Sequence, residues 1–205
     1  MDFRWVLGRL GLGVAAWVSS LLADEDWPRF RGPNGQGVAA AGSRPPVAFG
    51  PTHQVAWQTP LPPGNASPAI RRGRIFTTGF QEGRLVTCAL EADSGRELWR
   101  REVTPPRVEE VHPSLGSPAS ATPALDDGRV FVFFGSLGLL AYDWDGRELW
   151  RHERSLPQTE YGASSSPVVA GDLVVQLLDQ DGGSYLLALD KRTGREAWRV
   201  DRPEM

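Results

Sequence analysis

The chain has 205 residues, of which 40% are hydrophobic and 23% charged, so its composition is that of an ordinary globular protein and excludes disordered and fibrous classes. A formal net charge of −3, with no block of Lys and Arg, argues against a nucleic-acid partner. The 23 glycines, 17 prolines and 8 tryptophans indicate a turn-rich β protein with little helix.

Residues 1–23 have the pattern of an export signal. Arg4 and Arg9 precede the uncharged stretch 10–23, and an acidic cluster begins at Asp24. The uncharged stretch is shorter than the about 20 residues that a membrane-spanning helix needs. We therefore predict a signal peptide cleaved after Ala23, an exported protein of the periplasm or cell envelope, and no membrane span in the mature chain. An uncleaved signal anchor over the same residues is the alternative.

The single cysteine, Cys88, excludes an internal disulfide and lies among alternating apolar residues. This position favours a buried structural thiol over a reactive one. Stability must therefore come from packing, although an exported location would permit disulfides.

One short pattern occurs three times after residue 54. Its copies are ALEADSGRELW at 89–99, AYDWDGRELW at 141–150 and ALDKRTGREAW at 188–198. A small residue followed by Pro precedes each copy, at Ser67-Pro68, Thr122-Pro123 and Ser166-Pro167. A unit of this size cannot bury its own apolar face, so repetition indicates units that pack on one another.

Short apolar runs bounded by turn residues predict the strands within each unit. The predicted strands are Arg74 to Thr78, Arg84 to Leu90, Val130 to Phe134, Leu139 to Tyr142, Leu173 to Leu178 and Tyr185 to Leu189. Glycine-containing loops of hairpin length join each pair, and a further turn leads to a strand that contains the Trp. Each unit is thus predicted to be a four-stranded antiparallel sheet, and Trp57 is interpreted as part of an isolated outer strand.

The repeated pattern Ala-x-Asp-x-x-x-Gly-x-x-x-Trp resembles the tryptophan-docking motif of the PQQ-like, or quinoprotein-type, β-propellers. The leader Asp26-Trp27-Pro28-Arg29-Phe30-Arg31-Gly32-Pro33 resembles the start of an exported bacterial branch of that family. The resemblance implies that Trp99, Trp150 and Trp198 dock against the turns of adjacent blades. Their partners would be structural turn glycines, namely Gly95, Gly146 and Gly194.

The predicted fold class is therefore an all-β propeller of four-stranded antiparallel blades. The resemblance implies a ring of seven or eight blades, and about 45 residues per blade leave room here for three to four. We expect a leader segment at 24–54 and a partial propeller at 55–205, truncated from a longer protein. A self-assembling half-ring and a solenoid are the alternatives.

No residue is assigned a catalytic, metal-binding or cofactor-binding role. Asp143-Trp144-Asp145-Gly146 and Asp179-Gln180-Asp181-Gly182 begin like calcium loops but lack the later bidentate Glu, so they are interpreted as β-turns. The histidines are scattered, and Ser164 to Ser166 lack the flanking glycines of a hydrolase nucleophile.

The connections 104–121 and 155–165 lead from one blade to the next and are expected on one face of the propeller. His112 and Tyr161 lie in these connections, where an imidazole and a phenol could line a small-molecule or peptide site. The alternative interpretation is that both are solvent-exposed loop residues with no role in binding.

The favoured function is a non-enzymatic exported scaffold that binds a protein, a peptide or a cell-surface ligand through this face. The first alternative is a PQQ-dependent dehydrogenase with PQQ and Ca²⁺ in the channel, although the chain lacks the adjacent cysteine pair common in that branch. The second alternative is a role in envelope assembly. It is implied by resemblance to an outer-membrane assembly propeller, whose lipidated cysteine this chain lacks.

Overall fold

The computed structural model describes residues 26–203, which consist of strands, turns and coil. The predicted signal peptide, residues 1–23, lies outside the described residues. The strands are β1 (Ala69–Arg71), β2 (Arg74–Gln81), β3 (Arg84–Glu91), β4 (Glu97–Val103), β5 (Ala124–Leu125), β6 (Arg129–Phe134), β7 (Gly138–Asp143), β8 (Glu148–Glu153), β9 (Val168–Ala170), β10 (Leu173–Leu178), β11 (Tyr185–Asp190) and β12 (Glu196–Asp201). Residues 26–203 include no helix long and apolar enough to cross a bilayer.

Consecutive strands form 4-stranded antiparallel sheets in the orders β1-β2-β3-β4, β5-β6-β7-β8 and β9-β10-β11-β12, here called blades 1, 2 and 3. The first strands contact one another from blade to blade, β1 with β5 and β5 with β9. These inner strands therefore lie near a common axis, and β4, β8 and β12 lie at the outside. The predicted all-β architecture of partial propeller blades is confirmed.

The predicted strands are all present, and β2 continues past the predicted end at Thr78 to Gln81. The isolated outer strand expected at Trp57 is not formed, because residues 54–68 belong to no strand. A propeller blade buries both of its faces when a blade packs on each side. Blade 2 accordingly has strands β6 and β7 that are almost continuously buried, whereas β10 of blade 3 alternates between buried and partly exposed residues.

The core consists of two apolar layers, one on each face of blade 2. Phe76, Trp99 and Tyr142 belong to the layer that blade 2 shares with blade 1. Phe131, Trp150 and Leu189 belong to the layer that blade 2 shares with blade 3. Neighbouring blades are thus held together by large buried side chains that contact one another across the interface.

The small residue before each recurrent proline also joins the blades. The Ser67 N–H donates to the Thr122 hydroxyl at 3.2 Å, and the Thr122 N–H donates to the Ser166 hydroxyl at 3.0 Å. Thr122 is buried, so its hydroxyl accepts a hydrogen bond from the Ser67 N–H at a place that water would reach poorly. The repeated Ser-Pro or Thr-Pro pair therefore links the residues just before each inner strand to the corresponding residues of the next blade.

The leader crosses the inner strands. Trp27 forms an antiparallel bridge with Ile70 of β1, and the Leu125 N–H of β5 donates to the Pro28 carbonyl at 2.8 Å. The chain then turns at Gly32, whose φ is +78° and which lies against the Trp27 ring. The leader thus covers the axial edges of blades 1 and 2.

Candidate binding surface

Two faces of the molecule follow from the antiparallel strand order. One face, the loop face, carries the blade-to-blade connections 104–123 and 154–167 and the hairpins β2–β3, β6–β7 and β10–β11. The opposite face, the turn face, carries the short turns β1–β2 and β3–β4 and their equivalents in the other blades. The recurrent tryptophans lie toward the turn face, and His112 and Tyr161 lie on the loop face.

On the turn face, Trp99 of blade 1 packs on the β7–β8 turn of blade 2. A β-carbon added to Gly146 would lie 2.7 Å from the Trp99 ring. The Trp99 indole N–H donates to the Trp144 carbonyl at 2.8 Å. The turn therefore contacts the face of the indole ring and also provides a hydrogen-bond acceptor for the indole N–H, which a buried indole needs.

The same geometry recurs between blades 2 and 3. A β-carbon on Gly194 would lie 2.6 Å from the Trp150 ring, and the Trp150 indole N–H donates to the Lys191 carbonyl at 3.1 Å. Gly146 and Gly194 both have positive φ, +82° and +69°. Glycine is required at these positions by backbone conformation and by the ring above it.

Blade 1 receives a tryptophan from outside the three sheets. Trp57 covers Gly95, its indole N–H donates to the Ala92 carbonyl at 2.8 Å, and the Thr59 hydroxyl donates to the Gly95 carbonyl at 2.6 Å. This contact was not predicted, because Trp57 lacks the upstream Asp and the turn Gly of the repeated pattern, although Ala48 stands nine residues before it. The third predicted docking residue, Trp198, is 38% exposed and contacts no turn glycine among residues 26–203.

On the loop face, the structure brings the two predicted binding residues together. The rings of His112 and Tyr161 are stacked, with centroids 5.3 Å apart and an interplanar angle of 8°. Tyr161 is 54% exposed, and the neighbouring Leu115 is 68% exposed. Two connections that are distant in sequence thus present one aromatic and apolar surface.

Hydrogen bonds hold this surface in place. The Gly116 N–H donates to the His112 carbonyl at 2.8 Å, which closes the turn that carries Leu115. The Asn65 side-chain amide donates to the Leu115 carbonyl at 3.0 Å. Leu115 is therefore exposed on an ordered turn, so ligand contact would cost little further conformational entropy.

Beneath this surface, Glu109 joins three loops of the loop face. Glu109 is 4% exposed, and its carboxylate accepts the Ala163 N–H at 2.8 Å. The Ser136 hydroxyl donates to the same carboxylate and accepts the Glu109 N–H at 2.9 Å. Burial raises the pKa of Glu109, and the hydrogen bonds from Ala163 and Ser136 oppose that rise. Glu109 was not predicted, because a single acidic residue in a long loop carries no sequence signal.

A groove of about 480 Å³ adjoins this surface between the same two connections. Its lining includes Arg107, Glu110, Pro157, Glu160 and Asp181. The loop face therefore combines a concave region with an exposed aromatic patch, the general form of a binding site for a peptide or a small molecule.

The other residues considered from sequence have structural contacts. The Asp143 carboxylate accepts the N–H groups of Asp145 and Arg147 within its own turn. Burial tends to raise the pKa of Asp143, but these hydrogen bonds and the Arg147 guanidinium lower it overall. Burial raises the pKa of Cys88 to about 11. Residues 26–203 contain no group of three or more His, Cys, Asp or Glu side chains that could hold a metal ion.

Side-by-side antiparallel blades, each receiving a tryptophan from the blade or segment before it, define the chain as a PQQ-like β-propeller. A family model supports this class and matches residues 47–204, and its description is outer membrane protein assembly factor BamB. The chain belongs to this family. A search among curated proteins finds no match.

Solved structures with the same fold include three dehydrogenases. Quinohemoprotein alcohol dehydrogenase ADHIIG from Pseudomonas putida HK5 is 27% identical, with a TM-score of 0.53 over 67% of this chain. The quinohemoprotein alcohol dehydrogenase of Comamonas testosteroni is 21% identical, with a TM-score of 0.53 over 67% of this chain. A europium-containing methanol dehydrogenase is 18% identical, with a TM-score of 0.58 over 74%.

The chain spans 20% of the Pseudomonas enzyme, 21% of the Comamonas enzyme and 27% of the methanol dehydrogenase. At these identities the Comamonas enzyme and the methanol dehydrogenase establish the fold alone.

Proposed function

We propose that this protein is an exported, non-catalytic propeller module that binds a protein or peptide partner through its loop face. The observation that carries the proposal is the exposed stack of His112 on Tyr161 beside Leu115. Aromatic rings and leucine on an ordered, exposed turn provide apolar contact area to a partner, and the adjoining groove provides a concave surface.

The family model favours a role of this kind in the cell envelope, because its description is that of an outer membrane protein assembly factor. The leader at 24–54 would then precede the binding module at 55–205, with the signal peptide at 1–23 directing export. The docked residues Trp99 and Trp150, with Gly146 and Gly194, act in this proposal as the frame that fixes the position of the loop face.

Site-specific photocrosslinking in cells that export the protein tests the proposal. A benzoylphenylalanine in place of Leu115 should yield a discrete crosslinked product, and the additional change Tyr161→Ala should abolish it. The matched control carries the same probe in place of Arg192, which is exposed on the turn face, and should yield no such product. Equal crosslinking from both faces, or none from position 115, would contradict the proposal.

The alternative is a quinone-dependent dehydrogenase, favoured by the 27% identity to the Pseudomonas enzyme. Such a protein would bind PQQ, which supplies electron-accepting chemistry, together with Ca²⁺. Residues 26–203 do not provide a suitable donor set, because they contain no candidate metal cluster and their single cysteine, Cys88, is buried. Dye-linked alcohol oxidation by the purified chain after addition of PQQ and Ca²⁺ would support this alternative against the scaffold.

A further inference from the structure

The inner strand of each blade has one residue whose backbone groups point toward the axis. In an antiparallel pair, hydrogen-bonded and non-hydrogen-bonded residue pairs alternate. The tight turns after β1, β5 and β9 place Ile70, Leu125 and Val169 in equivalent pairs, opposite Ile75, Val130 and Val174. The pairs that close the turns are hydrogen-bonded, and the pairs formed by Ile70, Leu125 and Val169 are the next ones along the strands, so they are non-hydrogen-bonded. The N–H and C=O of all three residues therefore point away from the second strand of the blade and into the axial space.

Two of the three equivalent residues are already paired with the leader. The Ile70 N–H donates to the Trp27 carbonyl at 2.9 Å, and the Trp27 N–H donates to the Ile70 carbonyl at 2.7 Å. The Leu125 N–H donates to the Pro28 carbonyl at 2.8 Å. The leader thus adds an extended segment to the edges of β1 and β5.

Val169 has no such partner among residues 26–203. Val169 itself is partly exposed. A cavity of about 250 Å³ lies beside Val169, and its lining also includes the leader residues Pro28 and Arg29 and residues of β1 and β5. The edge of β9 therefore offers unpaired backbone groups next to a space that an extended chain can enter.

The charges around the turns indicate which peptide fits. At β1, Asp26 stands just before the bridging Trp27, accepts the Arg72 N–H at 3.0 Å and lies 3.5 Å from the Arg71 guanidinium. At β9 the basic pair is replaced by Ala170 and Gly171, and the next residue is Asp172. The Asp172 side chain is 80% exposed, and its closest cation is Lys191 at 3.9 Å.

The other charged groups near this edge are occupied. Asp126 is paired with Arg129 at 3.2 Å and Lys191 at 3.6 Å, and Asp127 is paired with Arg71 and Arg72 at 2.8 Å. The Arg29 guanidinium donates to the carbonyls of Gly32 and Pro33. Asp172 is thus the charge that most readily accepts a new partner at the end of β9.

We propose that the axial edge of β9 binds an extended peptide of a partner protein by strand addition. One residue of the peptide bridges Val169 as Trp27 bridges Ile70, and a basic residue just before it pairs with Asp172. The peptide continues the line of the leader around the axis, from β1 and β5 to β9. This site lies apart from the loop face, so it stands independently of the function proposed above.

Two tetrapeptides serve as probes, acetyl-Lys-Trp-Pro-Arg-amide and acetyl-Asp-Trp-Pro-Arg-amide, of which the second copies residues 26–29. Nuclear magnetic resonance of the full chain should show that the Lys peptide shifts the Val169 amide and slows its hydrogen exchange. The amides of Ile70 and Leu125, which are already bonded to the leader, should not change. An unchanged Val169 amide at millimolar peptide would overturn the proposal.

Fluorescence anisotropy with labelled peptides tests the ion pair with Asp172 and the backbone hydrogen bond to Val169. The Lys peptide should bind about two- to fivefold more tightly than the Asp peptide, as expected for one exposed ion pair. Asp172→Lys should reverse that order. Val169→Pro removes the N–H donor at a position where an edge strand tolerates proline, and it should abolish binding, whereas Val169→Ala keeps the donor and should retain it.

Circular dichroism confirms that each variant is folded. Should Val169→Pro fail to fold, the comparison of Asp172→Lys with the unmodified chain still decides the proposal, since equal preference in both proteins would overturn it. A Val169 amide already protected in the free protein would also overturn it. Protection that increases with protein concentration would identify a second copy as the occupant, and protection independent of concentration would identify a segment of the same chain.

Discussion

The ring of Trp99 covers Gly146 so closely that a β-carbon on Gly146 would lie 2.7 Å from it, although the two residues belong to different blades. The same turn accepts the Trp99 indole N–H at the Trp144 carbonyl. The Arg74 guanidinium donates to that carbonyl as well, at 2.7 Å. The short β7–β8 turn is therefore the point at which blade 1 and blade 2 are fixed to each other.

Gly146→Ala should destabilise the protein by about 2–4 kcal/mol, through the cost of a non-glycine residue at positive φ and the overlap with the Trp99 ring. Gly83→Ala is the matched control, because Gly83 has a similar φ of +77° and no atom within 4 Å of the added β-carbon. The control should lose only about 1–2 kcal/mol. Urea unfolding measures both, and equal losses would mean that the indole contact contributes nothing.

Trp99→Phe should cost about 2–3 kcal/mol, because it removes buried ring area and leaves the Trp144 carbonyl with one donor fewer. Trp198→Phe should change the free energy of unfolding by less than about 1 kcal/mol, because Trp198 is 38% exposed. Thermal unfolding followed by circular dichroism compares the two variants. A larger effect at Trp198 than at Trp99 would contradict the docking geometry.

Thr122→Val should lower the free energy of unfolding by about 1–2 kcal/mol, because the Ser67 N–H loses its acceptor while the side-chain volume stays nearly the same. Thr122→Ser keeps the hydroxyl and serves as the control, with a smaller loss expected. Chemical denaturation measures both variants. If the valine variant is as stable as the serine variant, the hydrogen bond to the Thr122 hydroxyl does not contribute to the free energy of unfolding.

The raised pKa of Glu109 makes stability depend on pH. Below the ordinary value of 4.5 both the folded and the unfolded chain are protonated at this group. As pH rises toward the raised folded pKa, the unfolded chain loses the proton first, so the free energy of unfolding decreases through that window. Glu109→Gln keeps an acceptor for the Ala163 N–H and should lose this decrease. Urea unfolding at several pH values tests it, and parallel pH profiles for both proteins would refute it.

Cys88 should react with a thiol reagent only after unfolding. It is buried in β3, and desolvation raises its pKa to about 11, so the thiolate is scarce at neutral pH. The rate of reaction with an aromatic disulfide should rise by orders of magnitude on addition of urea. Rapid reaction in the native state would show that the interior of blade 1 opens readily.

The strands and the Trp-bearing turns were predictable because both depend on local patterns that recur. Apolar runs between glycine turns marked β2, β3, β6, β7, β10 and β11 directly, and the fixed spacing from Ala to Trp marked the outer strands. The stack of His112 on Tyr161 was only partly predictable. Each residue was expected on the loop face, but their contact depends on how residues 104–123 and 154–167 cross it.

Other contacts could not be predicted from the sequence. Trp57 contacts Gly95 from a segment that forms no strand, so strand periodicity could not reveal it. Glu109 is a single carboxylate whose role depends on backbone N–H groups supplied by a distant loop. The pairing of Trp27 with Ile70 likewise depends on the free edge of a three-residue strand, and a pattern of side chains does not report such an edge.

The position of Trp57 has a consequence for the segment that carries it. Trp57 covers Gly95 and donates to the Ala92 carbonyl, the same two kinds of contact that join the blades to one another, although residues 54–68 form no strand. The indole contact therefore does not require a hydrogen-bonded outer strand behind it, and it tethers a coil segment to blade 1.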